Sequence, residues 1–145
     1  MKVISITNQK GGVGKTTSAI NIAYFLSKMG KRVLLLDFDP QGNATSGLGV
    51  DKNELNLTMA DVVAGEAALK DVILETEYKG LSLAPATPVL ANTEVELANV
   101  QGRFTRLKTA LETVREDYDY VILDSPPSLS LLTVNGFIAS DFLVL

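Results

Sequence analysis

Two periods of apolar residues alternate along this chain, one suited to strands and one to helices. Val3-Ile4-Ser5-Ile6-Thr7 is rich in β-branched residues and ends at a glycine cluster, which predicts a first strand. Thr16 to Met29 follows with apolar residues at 19, 20, 22, 23, 26 and 29, a wide helical face, and Gly30 stands where a helix would terminate. Arg32-Val33-Leu34-Leu35-Leu36 is a near-continuous apolar run of the kind covered on both faces of a sheet, and it ends at Asp37. Strand, helix and strand joined by short links predict a parallel unit.

The alternation then continues more loosely. Residues 41–57 are polar and glycine-bearing. Thr58 with Asp61 three positions on predicts a capped short helix stopping near Gly65, and a second short helix is expected over Glu66 to Ile73. Leu81-Ser82-Leu83-Ala84 reads as a short strand closed by Pro85, and helical pattern resumes around 93–100 and over 103–116. Tyr120-Val121-Ile122-Leu123 is a buried-type strand ending in Asp124. Pro126-Pro127 break the pattern, 129–139 reads as helix, and 142–145 begins another strand. With no repeat, low-complexity tract or linker composition, the expectation is one α/β domain over 1–145, built on a doubly wound, mostly parallel sheet.

Composition narrows the chemistry. The 145 residues include no cysteine and no histidine, which removes disulfides, thiolate or imidazole metal sites, iron–sulfur clusters and histidine acid–base catalysis. Lys, Thr, Ser, Asp, Glu and backbone remain. No apolar run approaches the roughly 20 residues of a membrane span, and the N-terminus runs into a motif instead of a cleavable signal, so the expected location is the cytoplasm. Asn43-Ala44-Thr45 and Asn56-Leu57-Thr58 match glycosylation acceptors, which a cytoplasmic chain makes coincidental.

The net charge of −4 argues against a dominant nucleic-acid surface on this chain, yet residues 1–50 hold six basic and two acidic side chains. For Lys28, Lys31 and Arg32 two readings stay open, a contribution to a phosphate site or ordinary variation of a solvated surface.

The strongest signal lies between the first strand and first helix, in Asn8-Gln9-Lys10-Gly11-Gly12-Val13-Gly14-Lys15-Thr16-Thr17. Glycines let such a loop turn back and aim backbone N–H groups inward, and a helix start adds unpaired donors and its positive dipole end. A polyphosphate fits that arrangement, with residues 10–17 (Lys10, Gly11, Gly12, Val13, Gly14, Lys15, Thr16, Thr17) as its contacts. Lys15 would pair with the β- and γ-phosphates, and the Thr16 hydroxyl would ligate Mg²⁺. Two carboxylates, Asp37 and Asp39, alternate at the end of the second strand, where open α/β sheets bind ligands; one can face the crevice, and for Asp37 a turn- or helix-capping role stands equally open. Asp124, after Val121-Ile122-Leu123, ends a strand as the carboxylate of a Walker B motif does, able to hold Mg²⁺ directly or through water.

One spelling departs from the usual phosphate loop, whose first glycine falls where Gln9 stands here, and a second lysine, Lys10, follows. Lys-Gly-Gly-Val-Gly-Lys-Thr resembles the deviant Walker A motif of the ParA/MinD family of P-loop ATPases. Asp37-Phe38-Asp39-Pro40-Gln41-Gly42-Asn43 and Asp124-Ser125-Pro126-Pro127-Ser128 resemble the two switch segments of its ParA/Soj partition branch. Gly47-Leu48-Gly49, Leu83-Ala84-Pro85-Ala86-Thr87 and Val95-Glu96-Leu97 also look like stretches of those proteins.

The resemblance implies a P-loop NTPase domain and an ATPase that uses Mg²⁺ and ATP as a dimerisation switch. In it the catalytic residues would be Lys10, reaching the phosphates held by the partner subunit, Lys15, and Asp39, positioning the attacking water. The metal-associated residues would be Thr16, Asp39 and Asp124. It further implies an ATP-dependent homodimer, a ParB-type partner, non-specific DNA binding by the full-length protein at the nucleoid, no membrane association, and a role in chromosome or plasmid partition. MinD-like membrane positioning and small-molecule ligases or synthetases with similar loops are the alternatives. Proteins of this kind resemble the chain only over their first three-fifths, so it is read as an N-terminal part whose sheet is incomplete at Phe142-Leu143-Val144-Leu145.

Overall fold

The computed structural model describes residues 1–7 and 13–144, and for Val13 the backbone alone. Lys10, Gly11 and Gly12 therefore lie outside the described residues, as does Leu145. Among the described residues, six strands form one sheet in the order β3-β4-β2-β5-β1-β6, where β1 is Lys2–Ile6, β2 Val33–Asp37, β3 Leu74–Glu75, β4 Leu81–Ala84, β5 Tyr120–Asp124 and β6 Phe142–Val144. All neighbours run parallel except β3, which pairs antiparallel with β4. The expected mostly parallel α/β sheet is what the chain forms.

Residue parity within the strands decides what each face sees. Leu34 and Leu36 of β2, Val121 and Leu123 of β5 and Val3 of β1 share one core with α3 (Met59–Val63), α4 (Leu69–Val72), α6 (Arg106–Glu112) and α7 (Leu131–Ala139). Leu90 of α5 (Val89–Glu96) joins them. Val33, Leu35, Ile122, Leu81 and Leu83 face the other way, into a second core with Ala19 and Ala23 of α1 (Val13–Lys28) and Ala44 of α2 (Asn43–Gly47). Alternation then puts Asp37 and Asp124 on the α1 face. The two are register partners across β2 and β5, so the sheet delivers both carboxylates to one point.

Several expected boundaries shift, each for a local reason. The first helix begins at Val13 instead of 16, so Gly14, Lys15 and Thr16 occupy its first turn. Within the polar 41–57 stretch lies α2, whose cap Gly42 has φ +65° and whose Cβ, if present, would stand 2.7 Å from the Ala86 carbonyl oxygen. The helix expected at 66–73 shortens to α4, and β3 follows it. The helix expected at 93–100 sits earlier, as α5, because Pro88 caps its start and the amide of Leu97 closes on Thr93. The one expected over 103–116 splits into a 3-10 turn at Arg103–Thr105 and α6, where buried Asn135 of α7 accepts from the Leu107 amide (3.2 Å) and donates to the Arg103 carbonyl (2.8 Å). That side chain locks α6 onto α7. At the α7 start, Ser130 caps and Glu94 of α5 accepts the Leu132 amide at 3.0 Å.

Candidate nucleotide site

The C-terminal ends of β2 and β5 meet the first turn of α1, and the chemistry gathers there. Lys15 and Thr16 point from that turn onto the sheet, each less than a tenth exposed, while Gly14 and Thr17 lie at the surface. The Lys15 ammonium hydrogen-bonds Asp124 Oδ1 and lies 3.7 Å from Asp39 Oδ2. Thr16 Oγ1 donates to Asp124 Oδ2 at 2.9 Å. One lysine thus faces two carboxylates in a pocket with almost no water access, a configuration stable only because the charges are paired.

Burial sets the electrostatics. Asp124 is pushed above the ordinary carboxylate range by desolvation, against the pull of Lys15 and Thr16. Asp37 is raised to about 7, again chiefly by burial, while the Thr45 hydroxyl and amide pull the other way. Asp37 does the work of a turn and cap residue. Its Oδ1 accepts the Asp39 amide (3.1 Å), and its Oδ2 accepts the Thr45 amide (2.9 Å) and hydroxyl (2.7 Å). Asp39, two residues on, is the carboxylate that turns to Lys15, and its Oδ1 accepts the Gln41 amide at 3.0 Å.

The donor set suits a hard divalent cation with phosphates. Thr16 and Asp124 offer a hydroxyl and a carboxylate already in contact, and among the described residues no cluster of three acidic groups forms a protein-only cage. Magnesium typically takes one or two protein oxygens and completes its shell with phosphate and water, so these residues fit it.

Lys15, Thr16, Asp39 and Asp124 come together as expected from the sequence. Lys28, Lys31 and Arg32 do not join them. Lys28 is the last residue of the 16-residue α1 and Lys31 and Arg32 follow it; all three are exposed and roughly 20 Å from the helix start, which favours the solvated-surface reading. Thr45 is the member that the sequence reading overlooked, set aside with a coincidental glycosylation pattern. The signal for it is a hydroxyl shortly after an aspartate that ends a buried strand.

A strand, a glycine-rich segment, a helix whose first turn carries Lys-Thr, and an aspartate at the end of the neighbouring strand define a P-loop nucleoside triphosphatase fold. The chain belongs to the AAA_31 family, an AAA domain, whose match covers residues 1–145. It is 51% identical over 144 residues to the sporulation initiation inhibitor protein Soj of Bacillus subtilis (99% of this chain, 57% of that protein). It is 48% identical over 143 residues to the chromosome partitioning protein ParA of Caulobacter vibrioides (97% and 54%). The chain therefore spans a little over half the length of these relatives.

Among solved structures, cobyrinic acid a,c-diamide synthase from Mycobacterium smegmatis, with bound ATP analog and magnesium, superposes with a TM-score of 0.95 at 40% identity, covering 99% of this chain and 58% of that one. A plasmid partition protein from Borrelia burgdorferi gives a TM-score of 0.85 at 32% identity, covering 98% and 62%. Among the described residues no helix is long and apolar enough to cross a membrane.

Proposed function

We propose that this chain is the nucleotide-binding part of a ParA/Soj-type ATPase that partitions chromosome or plasmid DNA, switching between monomer and ATP-bound dimer. The observation that carries the reading is the Lys15–Asp124–Thr16 cluster with Asp39 facing it, all charges buried and paired at the helix start. Similarity across nearly the whole chain to Soj of Bacillus subtilis and to a relative named a chromosome partitioning protein supports it. Residues 10–17 would wrap the phosphates, and Lys15 would exchange its carboxylate partners for phosphate oxygens. Bound through Thr16 and Asp124, with Asp39 close by, magnesium would neutralise charge on the phosphates. Asp39 would then orient a water toward the γ-phosphorus, whose bond to the bridging oxygen breaks to give ADP and phosphate. Positioning and charge stabilisation suffice for that chemistry, so the lack of histidine is no obstacle.

Lys10 would complete the site of the partner subunit, DNA would bind the dimer, and a ParB-type protein would stimulate turnover on the nucleoid. Size-exclusion of the protein at its natural length, with ADP or a slowly hydrolysed ATP analogue and with DNA added, tests this. The expected result is dimerisation with the analogue alone. Asp39→Ala should hold the dimer even with ATP, and Lys10→Ala should lose it; normal turnover by the Asp39 variant removes its assigned role. The likeness to cobyrinic acid a,c-diamide synthase favours a second reading, ATP-driven amide formation on a small carboxylate. Hydrolysis stimulated by DNA plus a ParB-type protein supports partition, and hydrolysis stimulated by the carboxylate supports the synthase.

A further inference from the structure

We infer that Asp37 and Thr45 are positioning residues that fix Asp39 for hydrolysis and tie it to the loop following β4. The inference rests on the reading of Asp39 given above. Asp37 is fully buried, and three donors occupy its two oxygens: the Asp39 amide at 3.1 Å, the Thr45 amide at 2.9 Å and the Thr45 hydroxyl at 2.7 Å. Turning this carboxylate toward a metal or a water would strand two buried amides, so its role is to hold backbone. The hydroxyl has one proton, spent on Asp37, and its lone pair accepts the Ala86 amide at 3.0 Å. Thr45 thus joins three separate segments, the end of β2, α2 and the loop after β4, at a point with no exposure to solvent.

The same place is closed sterically. Gly42, between Asp39 and Thr45, passes so close to the Ala86 carbonyl that a Cβ would stand 2.7 Å from it, and the Gly42 amide donates to the Asp39 carbonyl at 2.8 Å. Ala86 is anchored from the far side as well, because the Met59 amide at the start of α3 donates to the carbonyl of adjoining Pro85 at 2.9 Å. The backbone of Asp39 therefore takes its position from a chain of contacts in which Lys15 has no part, and only its carboxylate reaches Lys15, at 3.7 Å. Removal of that chain of contacts should misplace the water-orienting carboxylate while leaving the phosphate contacts of residues 10–17 intact.

That separation sets the test. In the protein at its natural length, single-turnover ATP hydrolysis and ATP affinity are measured for Thr45→Val, Thr45→Ala and Thr45→Ser, with Asp39→Ala as reference. Amide exchange at Ala86 is followed by NMR or mass spectrometry. The valine and alanine variants, of which alanine is the smaller and spares the fold if valine does not, should hydrolyse about 10- to 100-fold more slowly with affinity within about 3-fold of the parent. Ala86 exchange should speed up in both. Serine, which keeps the hydroxyl, should restore rate and protection to within about 3-fold of the parent. Parent-like rates without the hydroxyl, equal impairment in serine and valine, or a fall in affinity that matches the fall in rate would each overturn the inference. If Asp39→Ala itself turns over normally, the assignment of Asp39 has failed instead, and Ala86 exchange alone then decides whether Thr45 ties the segments together.

Discussion

Two ion pairs sit at opposite ends of the sheet and share their chemistry but not their setting. At the C-terminal ends of the strands Lys15 meets Asp124 and Asp39, with side chains 1%, 0% and 6% exposed. At the N-terminal ends Arg32 reaches Asp119 at 3.1 Å, with side chains 57% and 36% exposed. The second pair is the better satisfied in bond count, because Asp119 also accepts the Arg32 amide (2.8 Å) and the guanidinium reaches the Glu116 carbonyl (3.0 Å). Burial, not the number of bonds, is what sets the two pairs apart. Water screens the outer pair, while the inner one must keep its charges mutually paired or surrender them to a ligand.

The comparison breaks most sharply at Lys15. Lys15→Ala leaves Asp39 and Asp124 buried without their cation and should destabilise the nucleotide-free chain by about 3 kcal/mol at neutral pH, in the range seen when one partner of a buried pair is removed. Nucleotide binding should fall below detection and ATP turnover with it. Thermal unfolding and titration with a fluorescent ATP analogue check the two effects. A variant that binds ATP as the parent does would show that the lysine is a structural counter-ion alone.

Much of this contrast was legible in the residues. Lys15 and Thr16 stood out through the glycine spelling before them, Asp124 because it closes a buried-type strand, and Asp39 because it follows two residues after Asp37, which closes another. The facing of the strands was not legible, since Val33, Leu34, Leu35 and Leu36 are all apolar and a period of two vanishes when both faces are covered. Helix α2 was hidden for a different reason. Asn43-Ala44-Thr45-Ser46-Gly47 has neither length nor an apolar stripe, and Asp37 holds it through Thr45, a contact that exists only once β2 has its partners. The two-residue β3 likewise follows from pairing with β4, not from its own pattern.

Gly42 sharpens the same contrast without altering charge. Its φ of +65° lies where side chains are strained, and a Cβ there would meet both the Ala86 carbonyl at 2.7 Å and the Lys52 side chain at 2.8 Å. Lys52 can swing away, but the carbonyl cannot. Gly42→Ala should therefore destabilise the chain by about 1–3 kcal/mol and slow hydrolysis by displacing Asp39. Gly30→Ala is the matched control. Gly30 also has positive φ, at +85°, but nothing lies within 4 Å of its added Cβ, so it should lose stability to backbone strain alone and keep its turnover. Equal losses of turnover in both variants would mean that the close approach to Ala86 contributes nothing.

The smallest effect belongs to the outer pair, and its pH dependence has a definite sign. Hydrogen bonds from Arg32 hold the Asp119 carboxyl below its ordinary value of 3.8. A carboxyl depressed on folding stabilises the folded chain above its unfolded pKa, and that stabilisation fades as pH falls through the lower folded value. Asp119→Asn should therefore lower Tm by only about 1–2 °C at pH 7, a difference that starts to fade as pH falls past the ordinary value of 3.8, closes below the lowered folded value, and shrinks in high salt. Scans of parent and variant at pH 7 and pH 3, at low and high ionic strength, measure it. ATP turnover should not respond, because this carboxylate lies at the far end of the sheet from Lys15. A turnover defect without a change in Tm would instead mean that the two ends of the sheet are coupled, and that exposure alone does not decide which ion pair serves function.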